Sequence, residues 1–200
     1  MNALIDITDV KLSTPRLLLR PWRVSDLDDF FEYASVPGVG EMAGWGHHRS
    51  VSDTQAILER FIEQKKTFAI EYRGTPEEGL EPSKYKVIGS IGIENYREQF
   101  YPELADLKAR ELGFVLSKDY WGLGIMPEAV GAVLCYLFED CGLDAVTCSH
   151  FTRNAQSARV QEKCGFKHHH FGTYNTQLGT IENDESNILY KEDWQKGAQR

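Results

Sequence analysis

The sequence predicts an α/β fold of the α+β kind: one domain over residues 1–200, with helices packed on a mixed sheet. Three observations carry this. Strand-like and helix-like stretches alternate along the chain. TFAIEY (67–72) and KVIGSIGIE (86–94) are separated only by the turn-rich loop GTPEEGLEPS, so they should pair antiparallel. Val130, Val133, Leu134, Leu137, Phe138 and Cys141 recur at helical spacing and end at Gly142, which marks a long amphipathic helix.

The remaining elements follow in order. LLLR (17–20), after Thr14-Pro15, reads as a first strand. Ser25 and Asp28 suggest a cap for a first helix carrying Leu27, Phe30, Phe31 and Ala34. Ser52 opens a second helix with Ile57, Leu58, Phe61 and Ile62. ARELGFVL (109–116) is a strand ahead of the long helix, and DAVTCSH (144–150) is another. QSARVQEKC (156–164) is a short helix closed by Gly165, and strands are expected at 168–175 and 187–191.

Composition narrows the function. A 42% hydrophobic, 26% charged chain of 200 residues can bury a sizeable core. No stretch approaches the roughly 20 apolar residues of a membrane span. The start, MNALIDITDVKL, has no basic leader or long apolar run, so a cytoplasmic location is expected. The net charge of -8 disfavours a nucleic-acid groove and favours a cationic partner. Cys135, Cys141, Cys148 and Cys164 lack CxxC spacing and are expected to be reduced, buried thiols.

The stretch YWGLGIMPE (120–128) stands between a strand and a well-formed helix. Gly122 and Gly124 leave backbone N–H groups unshielded, and the helix start adds free donors, so an anion fits there. Pro127 suits the first turn, and Glu128 complements the dipole of the free protein. A dinucleotide fingerprint fails: Pro127 replaces the third glycine, Asp144 precedes its strand, and the preceding strands read as antiparallel. A Walker loop is excluded by the lack of GK[ST].

TPRLLLRPWRVSDLDDFF, ELGFVLSKDYWGLGIMPEAV and NAQSARVQEKCGF together resemble the GNAT acyl-CoA N-acyltransferases, in particular the branch of the ribosomal-protein N-terminal acetyltransferases RimJ and RimL. The motif [RQ]xxGx[GA] falls on Trp121 to Met126 with Gly124 matched; Trp121 and Met126 depart from the general pattern in ways at home in that branch. The resemblance implies a mostly antiparallel, bent sheet with helices on both faces and a splayed central strand pair that admits pantetheine. It implies acetyl-CoA as co-substrate, held by Val115, Leu116, Trp121, Gly122, Leu123, Gly124, Ile125, Met126, Asn154 and Ser157. The family's tyrosine, seven residues after the asparagine, is Gln161 here. Ser157 is then the proton donor to the leaving sulfur, with a helix-start serine bonded to backbone as the alternative.

Glu111 stands where some members keep a catalytic glutamate, against the alternatives of an ordinary paired carboxylate or a water chain acting as base. The late glutamate of RimL-like members has no clear match near Thr176 or Leu178. The expected acceptor is a primary amine, a basic protein or peptide N-terminus ahead of a polyamine or aminoglycoside, used by a monomer or homodimer. A catalytically inactive CoA-binding sensor is the competing class. By family analogy the loop 95–110 and ENDE (182–185) flank the entrance and offer Glu98, Glu103, Asp106, Glu182, Asp184 and Glu185. Trp45, His47 and His48 fall where the acceptor pocket is built. No metal is expected, because His168, His169 and His170 should alternate faces and look to solvent. Cys148 and His150 share one side of a strand but lack an orienting third group.

Overall fold

The structure, a computed structural model, describes residues 1–75 and 77–198; of the loop GTPEEGLEPS, Pro76 lies outside the described residues. Among the described residues eight strands form one sheet: β1 (Leu12–Ser13), β2 (Leu17–Pro21), β3 (Thr67–Tyr72), β4 (Lys86–Glu94), β5 (Ala109–Leu116), β6 (Ala145–Phe151), β7 (Lys167–Asn175) and β8 (Ile181–Tyr190). Their spatial order is β1-β2-β3-β4-β5-β6-β8-β7. Only the β5–β6 ladder is parallel among the described residues; the rest, including β3–β4, are antiparallel.

Five α-helices among the described residues accompany the sheet: α1 (Leu27–Ala34), α2 (Val51–Gln64), α3 (Ile125–Cys135, continued by a π turn over Tyr136–Asp140), α4 (Ala155–Lys163) and α5 (Lys191–Ala198). Strand side chains alternate faces, so Phe68 and Ile70 enter a core with Val130, Val133 and Leu134 of α3. Ala69 between them points to the opposite core, with Phe30 and Tyr33 of α1 and Leu58 of α2. The sheet is therefore covered on both sides.

Several boundaries differ from expectation for identifiable reasons. Ser25 does not cap α1. A 3-10 turn at Val24–Asp26 precedes the helix, and buried Asp26 accepts the Arg23 N–H at 2.8 Å while pairing with Arg20. Helix α2 is capped by Ser50, in a reciprocal box with Asp53, instead of starting at Ser52. Strand β8 begins at Ile181, six residues before the expected position, because its polar residues Asp184, Ser186 and Asn187 are buried. ENDE is thus strand and not a loop. Cys135 is exposed and Cys141 and Cys164 are half-buried; Cys148 alone among the four free thiols is fully enclosed.

The feature that positions the site is a parting of β5 and β6. Their ladder joins Ala109 to Ala145 and ends at Leu112 with Cys148, although both strands continue. Beyond that point β5 stays on β4, with Gly113 opposite Gly92 and Leu116 opposite Gly89. Residues Ser149 to Phe151 of β6 stay on β8. Each strand follows its outer partner through the sheet twist, and the gap exposes two unpaired backbone edges.

Candidate active site

A cavity of about 1520 Å3 occupies this gap and runs from the start of α3 to the inner face of β7 and β8. At one end lies the glycine-rich loop. Gly122 (φ 79°) and Gly124 (φ 74°) adopt the left-handed region, which an L side chain rarely enters. Gly124 is the N-cap of α3 and has no side chain to bond the first helical N–H groups. Among the described residues, the N–H groups of Gly122 to Met126 find no protein acceptor at ordinary hydrogen-bond geometry. Five adjacent donors at a helix start suit a pyrophosphate. Trp121 does not itself offer a cation there. Its Nε1 donates to the Leu116 carbonyl at 2.9 Å and ties the loop to the end of β5.

Glu128 does more than complement the dipole: its carboxylate pairs with Arg16, which also donates to the Leu123 carbonyl at 2.9 Å. Of the residues expected at a cofactor, Val115, Leu116, Trp121, Gly122, Gly124, Ile125, Met126, Asn154 and Ser157 line the cavity. The Leu123 side chain does not; it is 56% exposed.

Asn154 and Ser157 lie at the start of α4. The Asn154 Oδ1 caps the helix by accepting the Ser157 N–H at 3.1 Å, and its Nδ2 donates to the Met42 carbonyl at 3.2 Å. The Ser157 hydroxyl makes no backbone hydrogen bond among the described residues. Its Oγ instead accepts from Gln161 Nε2 at 3.3 Å, and Gln161 Oε1 accepts from Asn187 Nδ2 at 2.7 Å. With Gln161 donating, the serine proton is free to point into the cavity. Gln161, at the family's tyrosine position, is fully buried and holds the serine hydroxyl through its amide.

Glu111 faces the opposite compartment. Paired with Thr147, it shares a sheet face with Ser149, Ser186 and Asp184, by register. Burial pushes its carboxyl from 4.5 up to about 7; the charge of Arg97 opposes that rise, and Asp184 and Glu94 add to it. A carboxyl near 7 is matched to taking a proton at neutral pH. Cys148, by contrast, is held as a protonated thiol by complete burial, which disfavours a covalent route through it.

The histidine expectation needs correction. A bulge between His168 and His170 breaks the alternation, so His169 and His170 contact each other through their Nδ1 atoms at 2.6 Å. His170 lines the cavity, His169 stacks on Tyr101 and bonds Glu103, and His168 bonds Glu185. Among the described residues no three His, Cys, Asp or Glu side chains converge as a metal site. Trp45 and His48 line the cavity, whereas His47 is bonded to Glu41 at 2.7 Å.

The acids expected at the entrance are also mostly engaged. Glu98 accepts from Asn2, Glu182 pairs with Arg153, and Glu185 sits between His150 and His168. Asp106 is exposed, and Asp184 is buried. Tyr101, Arg97 and His170 also line this compartment without having been singled out as site residues in the sequence. The only pointer to this wall in the sequence was the family analogy that set the loop 95–110 and ENDE beside the entrance.

Comparison with known proteins agrees with this geometry. Residues 16–167 match the acetyltransferase (GNAT) domain model. A Bacillus subtilis protein described as "Probable N-acetyltransferase YjcK" is 25% identical over 84% of this chain and 90% of its own. Among solved structures, a GNAT-family acetyltransferase from Bacillus anthracis superposes with a TM-score of 0.75 at 20% identity, covering 92% of this chain and 99% of the other. The ribosomal-protein-S5-alanine acetyltransferase of Vibrio fischeri does so with a TM-score of 0.66 at 21% identity, covering 93% and 99%. The chain belongs to the GNAT acetyltransferase family. It is an acyl-CoA-dependent acetyltransferase, and an amine is the acceptor class the family implies.

Proposed function

We propose that this enzyme moves an acetyl group from acetyl-CoA directly to a primary amine, and that the amine is the α-amino group of a protein or peptide N-terminus. The observation that carries the reading is the convergence of the glycine loop, the parted strands and Glu111 on one cavity. The free donors of Gly122 to Met126 fit the pyrophosphate, and the edge of β5 that β6 leaves beyond Leu112 fits the amide groups of pantetheine. Acetyl-CoA supplies a thioester carbonyl already activated toward amines. Glu111 takes the proton that the acceptor nitrogen must lose, and the Ser157 hydroxyl donates to the departing sulfur. Asn154 keeps α4 in place beside it.

An α-amine, with a pKa near 8 against about 10.4 for lysine, places the smaller demand on a carboxyl near 7. The likeness to the RimJ/RimL branch and the Vibrio fischeri neighbour support the same acceptor. A cytoplasmic location accords with it; among the described residues no helix is long and apolar enough to cross a membrane. The test is thiol release with acetyl-CoA and peptides that contain one lysine and either a free or a blocked N-terminus. Release with the free peptide alone is expected. Release with both peptides moves the assignment to side-chain or small amines. Acetyl-CoA binding without release to any amine leaves the sensor reading.

A further inference from the structure

Among the described residues Asp184 has no hydrogen-bond or ion-pair partner. It is 6% exposed, lies on the cavity wall, and its Oδ1 is fully enclosed without a hydrogen bond among the described residues. A buried carboxyl group without a hydrogen-bond partner is unfavourable, so such a group calls for a ligand that completes it. The cavity it borders has room for one. Gly172 stands opposite it on β7, and a Cβ built there would come within 3.0 Å of Asp184 Oδ1. Gly172 is not in the left-handed region, so it is space beside the carboxylate, and not backbone geometry, that a side chain there would remove. Arg97, which also lines the compartment, lies over the rings of Tyr174 at 5.0 Å and Phe100 at 6.0 Å, and among the described residues it makes no ion pair with Asp184.

Asp184 is also displaced from the reacting position. Glu111 is in register with Thr147, and Thr147 with Ile188, four residues along β8 from Asp184. That is a rise of about 13 Å along the strand, which the two side chains narrow. The two acids therefore stand at separate points of one cavity. We propose that Asp184 anchors a second cationic group of the acceptor, an ammonium or guanidinium carried beyond the amine that reacts at Glu111. This rests on the amine-acceptor reading above and narrows it to acceptors with two cationic centres, either a peptide with a basic residue next to its N-terminus or a free diamine.

The test begins with binding, which needs no turnover. In the presence of CoA, calorimetry compares cadaverine with pentylamine, matched in chain length and differing by one ammonium. The wild-type protein should prefer cadaverine by on the order of 30-fold or more, as expected for a desolvated charge pair. Asp184→Asn, which keeps the shape and removes the charge, should erase the preference and leave pentylamine unchanged. A wild-type protein indifferent to the second charge overturns the proposal, as would a carboxylate that only holds ordered water. A variant that weakens both amines equally overturns it too, since that is a structural effect. Turnover then separates the sources, using free-N-terminus peptides with lysine or norleucine at the second position. Lysine preference lost in Asp184→Asn identifies the peptide. If neither peptide is acetylated while the cadaverine preference persists, the N-terminal reading falls and the Asp184 assignment stands on the diamine.

Discussion

Replacing Glu111 by glutamine should make the protein more stable and less active, and both effects follow from one observation. The carboxyl is raised from 4.5 to about 7, first by burial and then by the neighbouring acids, against the charge of Arg97. A folded-state value above the unfolded one means that the native protein holds this proton more tightly. The associated stability is complete below pH 4.5 and is lost as pH rises through about 7. Each tenfold change in proton affinity is worth about 1.4 kcal/mol, so ionised Glu111 costs about 3 kcal/mol at pH 8 as an upper bound. Glu111→Gln removes that cost. Urea denaturation at pH 8 should show the variant more stable by up to about 3 kcal/mol, with the gain shrinking toward zero below pH 5. In parallel, kcat/KM should fall by roughly 10^2- to 10^4-fold, with loss of the limb that rises through pH 7. A variant that keeps this limb places the base elsewhere. One with unchanged stability at pH 8 shows that the carboxylate is not desolvated.

Three further outcomes test other parts of the structure. Gly124→Val forces a β-branched residue to φ 74° at the cap of α3 and should abolish thermal protection by acetyl-CoA; protection retained in a folded variant would refute the cradle. Ser157→Ala should lower kcat by roughly ten- to a thousandfold with acetyl-CoA protection intact, and equal turnover would remove the serine from the leaving-group step. Arg20→Met strands Asp26 and Glu71, both buried and both paired to Arg20, and should destabilise by about 3–5 kcal/mol in denaturant titrations. A change below 1 kcal/mol would mean that water or Arg73 already satisfies those acids.

The elements that announce themselves in the sequence are those whose burial is apolar and periodic. Val130 to Phe138 mark the long helix, TFAIEY and KVIGSIGIE pair as their turn-rich loop predicts, and the two glycines before α3 take the left-handed conformations that only their backbone tolerates. These are local facts, set by side-chain period and steric freedom within a few residues. What tertiary structure alone decided is the polar half of the site. IENDES reads as a loop, yet it is the first half of β8, with Asp184 and Ser186 buried against a cavity instead of facing water. His168 to His170 should alternate, yet a bulge turns two of them toward each other. The resemblance led to the expectation of a splay, but the residue at which it opens, Leu112 against Cys148, depends on β4 and β8 drawing the two strands apart. Glu111 gains its proton affinity, and Asp184 its lack of partners, only when strands distant in sequence enclose them. Charge in a chain is a property of residue type; desolvation belongs to the assembled fold.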